Sequence, residues 1–192
     1  GLGRLAKDIH CSFNEWSRKF TDPLLSKCLK GLPDDFTVLD ATAGFGKDAL
    51  QIAKNPNCHS VLLMEREKWL FYLLKEGAKN VEDTRSLNIV NKFSIVNNDS
   101  FKFLSNQELY FDLIYIDLMF KSAAKSKAKR TMQALRDLTE ETNADGLLDV
   151  AITRAWKRVI VKRHKKSKFL GGIKPNHSVM GKVIRYDVYN SS

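Results

Sequence analysis

Asp40, Gly44, Gly46, Glu65 and Asp117 are the residues of this 192-residue chain whose types and spacing could do chemistry. The stretch from Val38 to Leu50, V-L-D-A-T-A-G-F-G-K-D-A-L, reads as a buried strand, a tight glycine turn and the first turn of a helix. Gly44 and Gly46 permit backbone angles that a side chain would forbid, and they let a ligand approach the main chain. The helix that follows from Lys47 points free N–H groups back at the turn. A cradle of this kind at the carboxyl end of a first strand takes a nucleotide-like ligand. Asp117 closes a second apolar run, Leu113 to Ile116, at the strand end where open α/β sheets place their chemistry.

Spacing narrows the ligand. A dinucleotide turn reads G-x-G-x-x-G, and here the third position is Ala49, which does not exclude a nicotinamide cofactor. The acid ahead of the glycines, Asp40, completes D-x-x-x-G-x-G, the pattern of S-adenosylmethionine (SAM) methyltransferases. A sulfonium with a free amino group has use for a nearby carboxylate, and a pyrophosphate does not. Glu65 ends the next apolar run about twenty residues on, the position that hydrogen-bonds ribose hydroxyls in a βαβ unit. The bland alternatives are a strand–turn–helix connection without ligand and a solvated glutamate at a strand end.

These residues need a sheet to hold them. Strands are expected at 37–42, 60–65, 93–97, 111–117, 159–161 and 183–189. Helices are expected at 47–54, 67–79, 81–90 and 101–104, around Met132, Leu135 and Leu138, and around Leu147 to Ile152. Before the first strand, residues 1–36 read as a helical lead-in to a methyltransferase-type domain over 37–192, in one globular unit. Leu2, Leu5 and Ile9 share a helical face, and Asp22-Pro23 caps a second helix whose buried face is Leu24, Leu25, Cys28 and Leu29. The alternation of strand and helix, closed by a strand that follows a loop, predicts the class I SAM-dependent methyltransferase (Rossmann-like) sheet. That sheet is mostly parallel with an antiparallel last strand and helices on both faces; six strands are visible where the fold usually has seven.

Composition bounds the function. No apolar run approaches the roughly 18 residues of a membrane span, and 43% apolar with 28% charged residues is ordinary for a water-soluble domain. Three cysteines, Cys11, Cys28 and Cys58, lack C-x-x-C spacing and read as reduced thiols in a cytoplasmic protein; four scattered histidines suggest no metal. The chain opens at Gly1 without methionine, so further sequence upstream is expected. A net charge of +10 favours a polyanionic partner. The charge is concentrated after two strand ends, at Lys121, Lys125 and Lys127 and at Lys162, Arg163, Lys165, Lys166 and Lys168, which are the candidate RNA-binding residues.

Motifs over 37–190 follow one another in a recognisable order: D-A-T-A-G-F-G-K-D-A from Asp40, M-E-R from Met64, Y-I-D-L-M-F from Tyr115, D-G-L-L from Asp145, K-R-V-I-V-K-R from Lys157 and R-Y-D-V-Y from Arg185. Together they resemble the ribosomal RNA small subunit methyltransferase J family, enzymes that methylate the exocyclic N2 of a guanosine in small-subunit ribosomal RNA. The resemblance implies SAM as cofactor, with contacts on Lys47 and Asp48, Glu65 and Arg66, Asp99 and Ser100, and Asp117. It also implies ribosomal RNA or the small ribosomal subunit as partner. The family prefers arginine at Lys47 and serine at Asp99, and reads D-P-M-[FY] where this chain has Asp117-Leu118-Met119-Phe120. In the chemistry so implied, Asp117 and the Leu118 carbonyl hold the target amine and Phe120 stacks on the extruded base. A methyltransferase acting on another amino group, a basic RNA-binding protein that keeps the fold without catalysis, and a nicotinamide-dependent oxidoreductase are the other readings.

Overall fold

The computed structural model describes residues 11–19, 21–118 and 146–191. Seven strands form one sheet: β1 Phe36–Asp40, β2 Cys58–Met64, β3 Phe93–Val96, β4 Phe111–Asp117, β5 Ala155–His164, β6 His177–Met180 and β7 Ile184–Asn190. They lie in the order β3-β2-β1-β4-β5-β7-β6. Pairing is parallel from β3 to β5, while β7 runs antiparallel to both β5 and β6. The expected sheet is therefore present, reversed last strand included. The seventh strand is β6, inside the stretch expected to be a loop. It is only four residues long and half exposed, and its sequence, H-S-V-M, gives little alternation to read.

Alternation along the strands sorts the core into two layers. Val38, Val61, Leu63, Leu113, Tyr115, Ile160 and Tyr186 face one way. Leu39, Met64, Ile114, Ile116, Val159 and Val161 face the other. The first layer is covered by α1 Phe13–Lys19, α2 Pro23–Cys28, α3 Lys47–Ala53, α4 Lys68–Lys79 and α5 Thr84–Val90. The second is covered by α6 Ser100–Asn106 and by α7, residues 146–154. Central strands buried on both faces explain why they read as unbroken apolar runs.

The lead-in helices belong to this core. Phe13 of α1 is 1% exposed and meets Phe93 edge-on, with ring centres 5.8 Å apart. Helix α2 starts as its sequence predicts: the Asp22 carboxylate accepts from the N–H groups of Leu24 and Leu25, both at 2.9 Å, and Pro23 takes the first helical position. The other oxygen of Asp22 accepts from the Tyr186 hydroxyl at 2.6 Å, which pins α2 to β7. At the far end of α2, Arg158 of β5 donates to the carbonyls of Cys28 and Lys30 at 2.6 and 3.0 Å. The expected helices on Leu2, Leu5 and Ile9 and on Met132, Leu135 and Leu138 lie outside the described residues.

Asp22 thus serves two elements with one carboxylate. Asp22→Ala removes a helix cap, worth about 1–2 kcal/mol, and leaves the Tyr186 hydroxyl without its acceptor, a further cost of about 1–2 kcal/mol. Tyr186→Phe removes only the second interaction. Urea denaturation should rank the variants wild type, Tyr186→Phe, then Asp22→Ala; equal losses would show that the link to β7 carries the whole effect.

Candidate active site

The turn after β1 is held from several sides. Gly44 and Gly46 have φ of 53° and 75°, angles that favour glycine. A Cβ on Gly46 would also lie 2.7 Å from Leu74 and 3.1 Å from Phe13. The Gly44 N–H donates to Glu65 Oε2 at 2.9 Å, and the Glu67 N–H donates to Glu65 Oε1 at 2.8 Å. Glu65 is thereby fixed between the turn and the end of β2. Ser100 donates through its hydroxyl to the Ala41 carbonyl at 2.6 Å, and Thr42 Oγ1 accepts the Asp117 N–H at 2.6 Å. The turn, β2, α6 and the end of β4 form one hydrogen-bonded unit.

Acids converge beside it. Asp117 is in register with Lys162 on the neighbouring β5. The Lys162 ammonium lies 2.8 Å from Asp48 Oδ2 and 3.1 Å from Asp117 Oδ2. Asp48 Oδ2 also accepts from the Tyr115 hydroxyl at 2.7 Å. Burial by itself would lower the pKa of Lys162, but the two carboxylates outweigh it and hold the group above its ordinary value. Tyr115 is pushed well up, first by burial and then by Asp48 and Asp117. Asp40 is 1% exposed and accepts from the Thr42 N–H at 3.1 Å. Burial, and after it the charges of Asp48, Asp117 and Glu65, raises its carboxyl well above the usual range.

The basic turn after β5 has its own anchor. Arg185 of β7 is 4% exposed and forms an ion pair with Asp187 at 2.8 Å. Its guanidinium donates to the carbonyls of His164, Lys165 and Ser167 at 3.2, 2.7 and 2.9 Å. Those bonds hold the backbone of 164–168 inward and leave the side chains of Lys165, Lys166 and Lys168 exposed.

Several expectations change in this geometry. Lys162 is not on the outer basic surface: it is turned into the acid cluster, because a strand alternates and Lys162 shares the face of Ile160. Arg163 is half-buried and donates to the Lys168 carbonyl at 3.1 Å, so it closes the turn. The Lys47 ammonium lies over the Trp16 ring, 4.6 Å from its centre, and points to α1. Asp40 lies beneath the turn and shapes it through Thr42. Gly44, Gly46, Asp48, Glu65, Ser100 and Asp117 lie around one turn, linked by the bonds given above. Arg66 and Asp99 sit at the rim, 4.0 Å apart, and Asp99 also caps α6 by accepting from the Lys102 N–H at 3.0 Å. Leu118 is half-buried against the second core layer. Phe120, Lys121, Lys125 and Lys127 lie outside the described residues. Thr42, Tyr115 and Asn97, whose side chain donates to the Glu65 carbonyl at 2.7 Å, are site-shaping residues that the motifs did not single out. The signal for Thr42 and Asn97 is position just past a strand end, and for Tyr115 it is the strand face that it shares with Asp117.

A seven-stranded sheet in this order, with a glycine turn and acids at its carboxyl edge, defines a nucleotide-cofactor enzyme of the methyltransferase class. Residues 25–191 match the family described as "Putative SAM-dependent methyltransferase". Two relatives named ribosomal RNA small subunit methyltransferase J, from Francisella philomiragia and Francisella tularensis subsp. novicida, are each 33% identical over 162 and 159 residues. Those alignments take in 82% and 80% of this chain and 67% and 65% of the relatives, so the chain spans about two thirds of their length. A SAM-dependent methyltransferase structure from Neisseria gonorrhoeae superposes with a TM-score of 0.78 at 23% identity, covering 99% of this chain and 77% of that one. The chain belongs to the SAM-dependent methyltransferase family that includes the ribosomal RNA small subunit methyltransferase J proteins.

The residues present fit the family's cofactor by their chemistry. Asp48, Glu65 and Asp117 surround the turn, Lys162 is the counter-charge of Asp48 and Asp117, and the surplus of carboxylate suits a ligand carrying a sulfonium and an ammonium.

Asp40 gives a test of the electrostatics. Its pKa in the folded protein is raised, so between the unfolded and folded pKa values the native state binds the extra proton, and stability falls as pH rises through that window. Asp40→Asn keeps an acceptor for Thr42 without the charge. Its stability relative to wild type, from urea midpoints, should increase from pH 4 upward; a relative loss with rising pH would refute the assignment.

Proposed function

We propose that the chain transfers the methyl group of SAM to the exocyclic N2 of a guanosine in small-subunit ribosomal RNA, as free RNA or in the small subunit, in the cytoplasm. The observation that carries the reading is Asp117, an oriented carboxylate at the end of β4 at the head of D-L-M-F, in a chain similar to proteins named ribosomal RNA small subunit methyltransferase J. The catalytic unit is one globular domain over 37–192 with 1–36 as its helical lead-in. Gly44, Gly46 and the backbone of Lys47 form the cofactor cradle. Glu65 and Arg66 take the ribose end, and Asp99 and Ser100 line the adenine end. Asp48 supplies the negative field, and Asp40 beneath the turn shapes it through Thr42.

Bound SAM supplies a methyl on a positively charged sulfur. The chain's part is approach geometry and electrostatics. The guanine amine is a poor nucleophile because its lone pair is delocalised into the ring. Asp117 and the Leu118 carbonyl accept its N–H groups and turn the lone pair toward the cofactor. The proton shed by the methylated nitrogen passes to Asp117 or to water. Phe120 stacks on the extruded base. Lys165, Lys166 and Lys168, with Lys121, Lys125 and Lys127, bind phosphates.

Leu118 favours a second reading, binding without turnover, because the family has proline there. Leucine keeps the carbonyl and costs only backbone ordering, about 0.4–1 kcal/mol, or several fold in rate. Incubation of small-subunit RNA and of assembled subunits with labelled SAM, followed by nucleoside analysis, should yield labelled N2-methylguanosine. Leu118→Pro should raise the turnover. No transfer by either protein would replace this function with the binding-only reading, and label on adenosine or cytidine would reassign the base.

The RNA surface is tested separately. Charge reversal of Lys165, Lys166 and Lys168 together should weaken RNA binding while SAM affinity holds. Each lysine–phosphate pairing removed should flatten the log–log salt dependence by about 0.7–0.9. An unchanged slope would make these lysines a solvated face.

A further inference from the structure

We infer that Lys162 is a positioning residue for Asp117: shared between Asp117 and Asp48, its ammonium keeps Asp117 an ionised acceptor aimed at the target amine. The inference rests on the proposed methyl transfer. It starts from register, because β4 and β5 pair Asp117 with Lys162 side by side on the face that also carries Tyr115 and Ile160. The ammonium reaches both carboxylates, at 2.8 and 3.1 Å, with its side chain only 18% exposed.

The charges around Asp117 decide what Lys162 does. Asp48 approaches from α3, Asp40 from β1 and Lys162 from β5, and the phenols of Tyr115 and Tyr186 face it from β4 and β7. Lys162 is the cation among these groups. Without it, two carboxylates drawn to a common centre would face each other in a largely buried site, where each disfavours the other's charge. One would take up a proton more readily. A protonated Asp117 presents a donor where the guanine amine needs an acceptor, so the lone pair would no longer be turned toward the methyl. Tyr115 fixes the arrangement from the other side, because its hydroxyl bonds the same Asp48 oxygen that meets Lys162. Ion pairs this buried add little net stability compared with apolar packing, so the triad is better explained by the state it imposes on Asp117 than by fold stability.

The test compares wild type, Lys162→Met, Lys162→Arg, Asp48→Asn and the Lys162→Met/Asp48→Asn double variant. Methyl transfer to small-subunit RNA is followed from about pH 3.5 to 9, with calorimetry for SAM and NMR titration of 13C-labelled aspartate carboxylates over the same range. Transfer needs ionised Asp117, so activity falls on the acid side as pH drops through its pKa. Removing the ammonium raises that pKa. Lys162→Met should therefore move the acid limb upward by about one pH unit or more. It should lower kcat relative to wild type by up to about tenfold on the acid limb, with little effect at pH 7, and change KM for RNA far less. Lys162→Arg should keep the limb near its wild-type position. The double variant should bring it back, because the competing charge is gone. If Lys162→Met does not fold, Asp48→Asn alone still reads the coupling: it leaves Lys162 to Asp117 and should move the limb downward. Wild-type transfer with an acid limb unmoved in Lys162→Met and in Asp48→Asn would overturn the inference and leave the function standing. Absence of transfer by wild type would defeat the function, and an Asp117 titration unmoved by Lys162→Met would then overturn the pairing as well.

Discussion

Parallel strands deliver their ends to one edge, and this constraint governs the molecule. β1, β2 and β4 finish at the same edge with Asp40, Glu65 and Asp117 at or just beyond their ends. The first turn of α3 adds Asp48. Like charges so gathered would repel. The structure offsets the repulsion with Lys162 between Asp48 and Asp117, with backbone N–H groups on Glu65, and with burial of Asp40 beneath the turn. Three devices serve the four acids, and Asp48 and Asp117 share one of them. A cationic ligand entering such an edge meets a field already oriented for it.

The outer surface is arranged by the same economy. Arg185 is buried where an arginine is costly, but it pairs with Asp187 Oδ1 and with several carbonyls of the turn that follows β5. The turn's lysines are displayed by the bonds of their own backbone, so a flexible-looking basic run becomes a surface with fixed spacing. Among the described residues no helix is long and apolar enough to cross a membrane, and no group of His, Cys, Asp and Glu is placed to hold a metal.

Much of this was legible in the sequence. The strands with unbroken apolar runs, the glycine turn and the Asp22-Pro23 start of α2 carry local signals that tertiary structure reinforced. β6 was not legible because a short edge strand needs little alternation to pair. Lys162 was misplaced because a run of basic residues reads as one block, while a strand sends alternate side chains to opposite faces. Its pairing with Asp117 depends on the β4–β5 register, which no local pattern encodes. The direction of the Lys47 side chain was missed for a similar reason: Trp16, its partner, lies on a helix whose docking only the folded chain reveals.

The tie between Asp22 and Tyr186 spans 164 positions of sequence, and the clasp of Arg158 on the end of α2 spans 130. Helix α2 is therefore completed by strands that follow it far along the chain. Until β5 and β7 exist, α2 has no hydroxyl for its cap and no guanidinium for its final carbonyls. Long-range closures of this kind slow folding, because loop entropy is lost before the native pairings form. A growing chain would hold α2 against an unfinished core until β5 and β7 had emerged to pair with it.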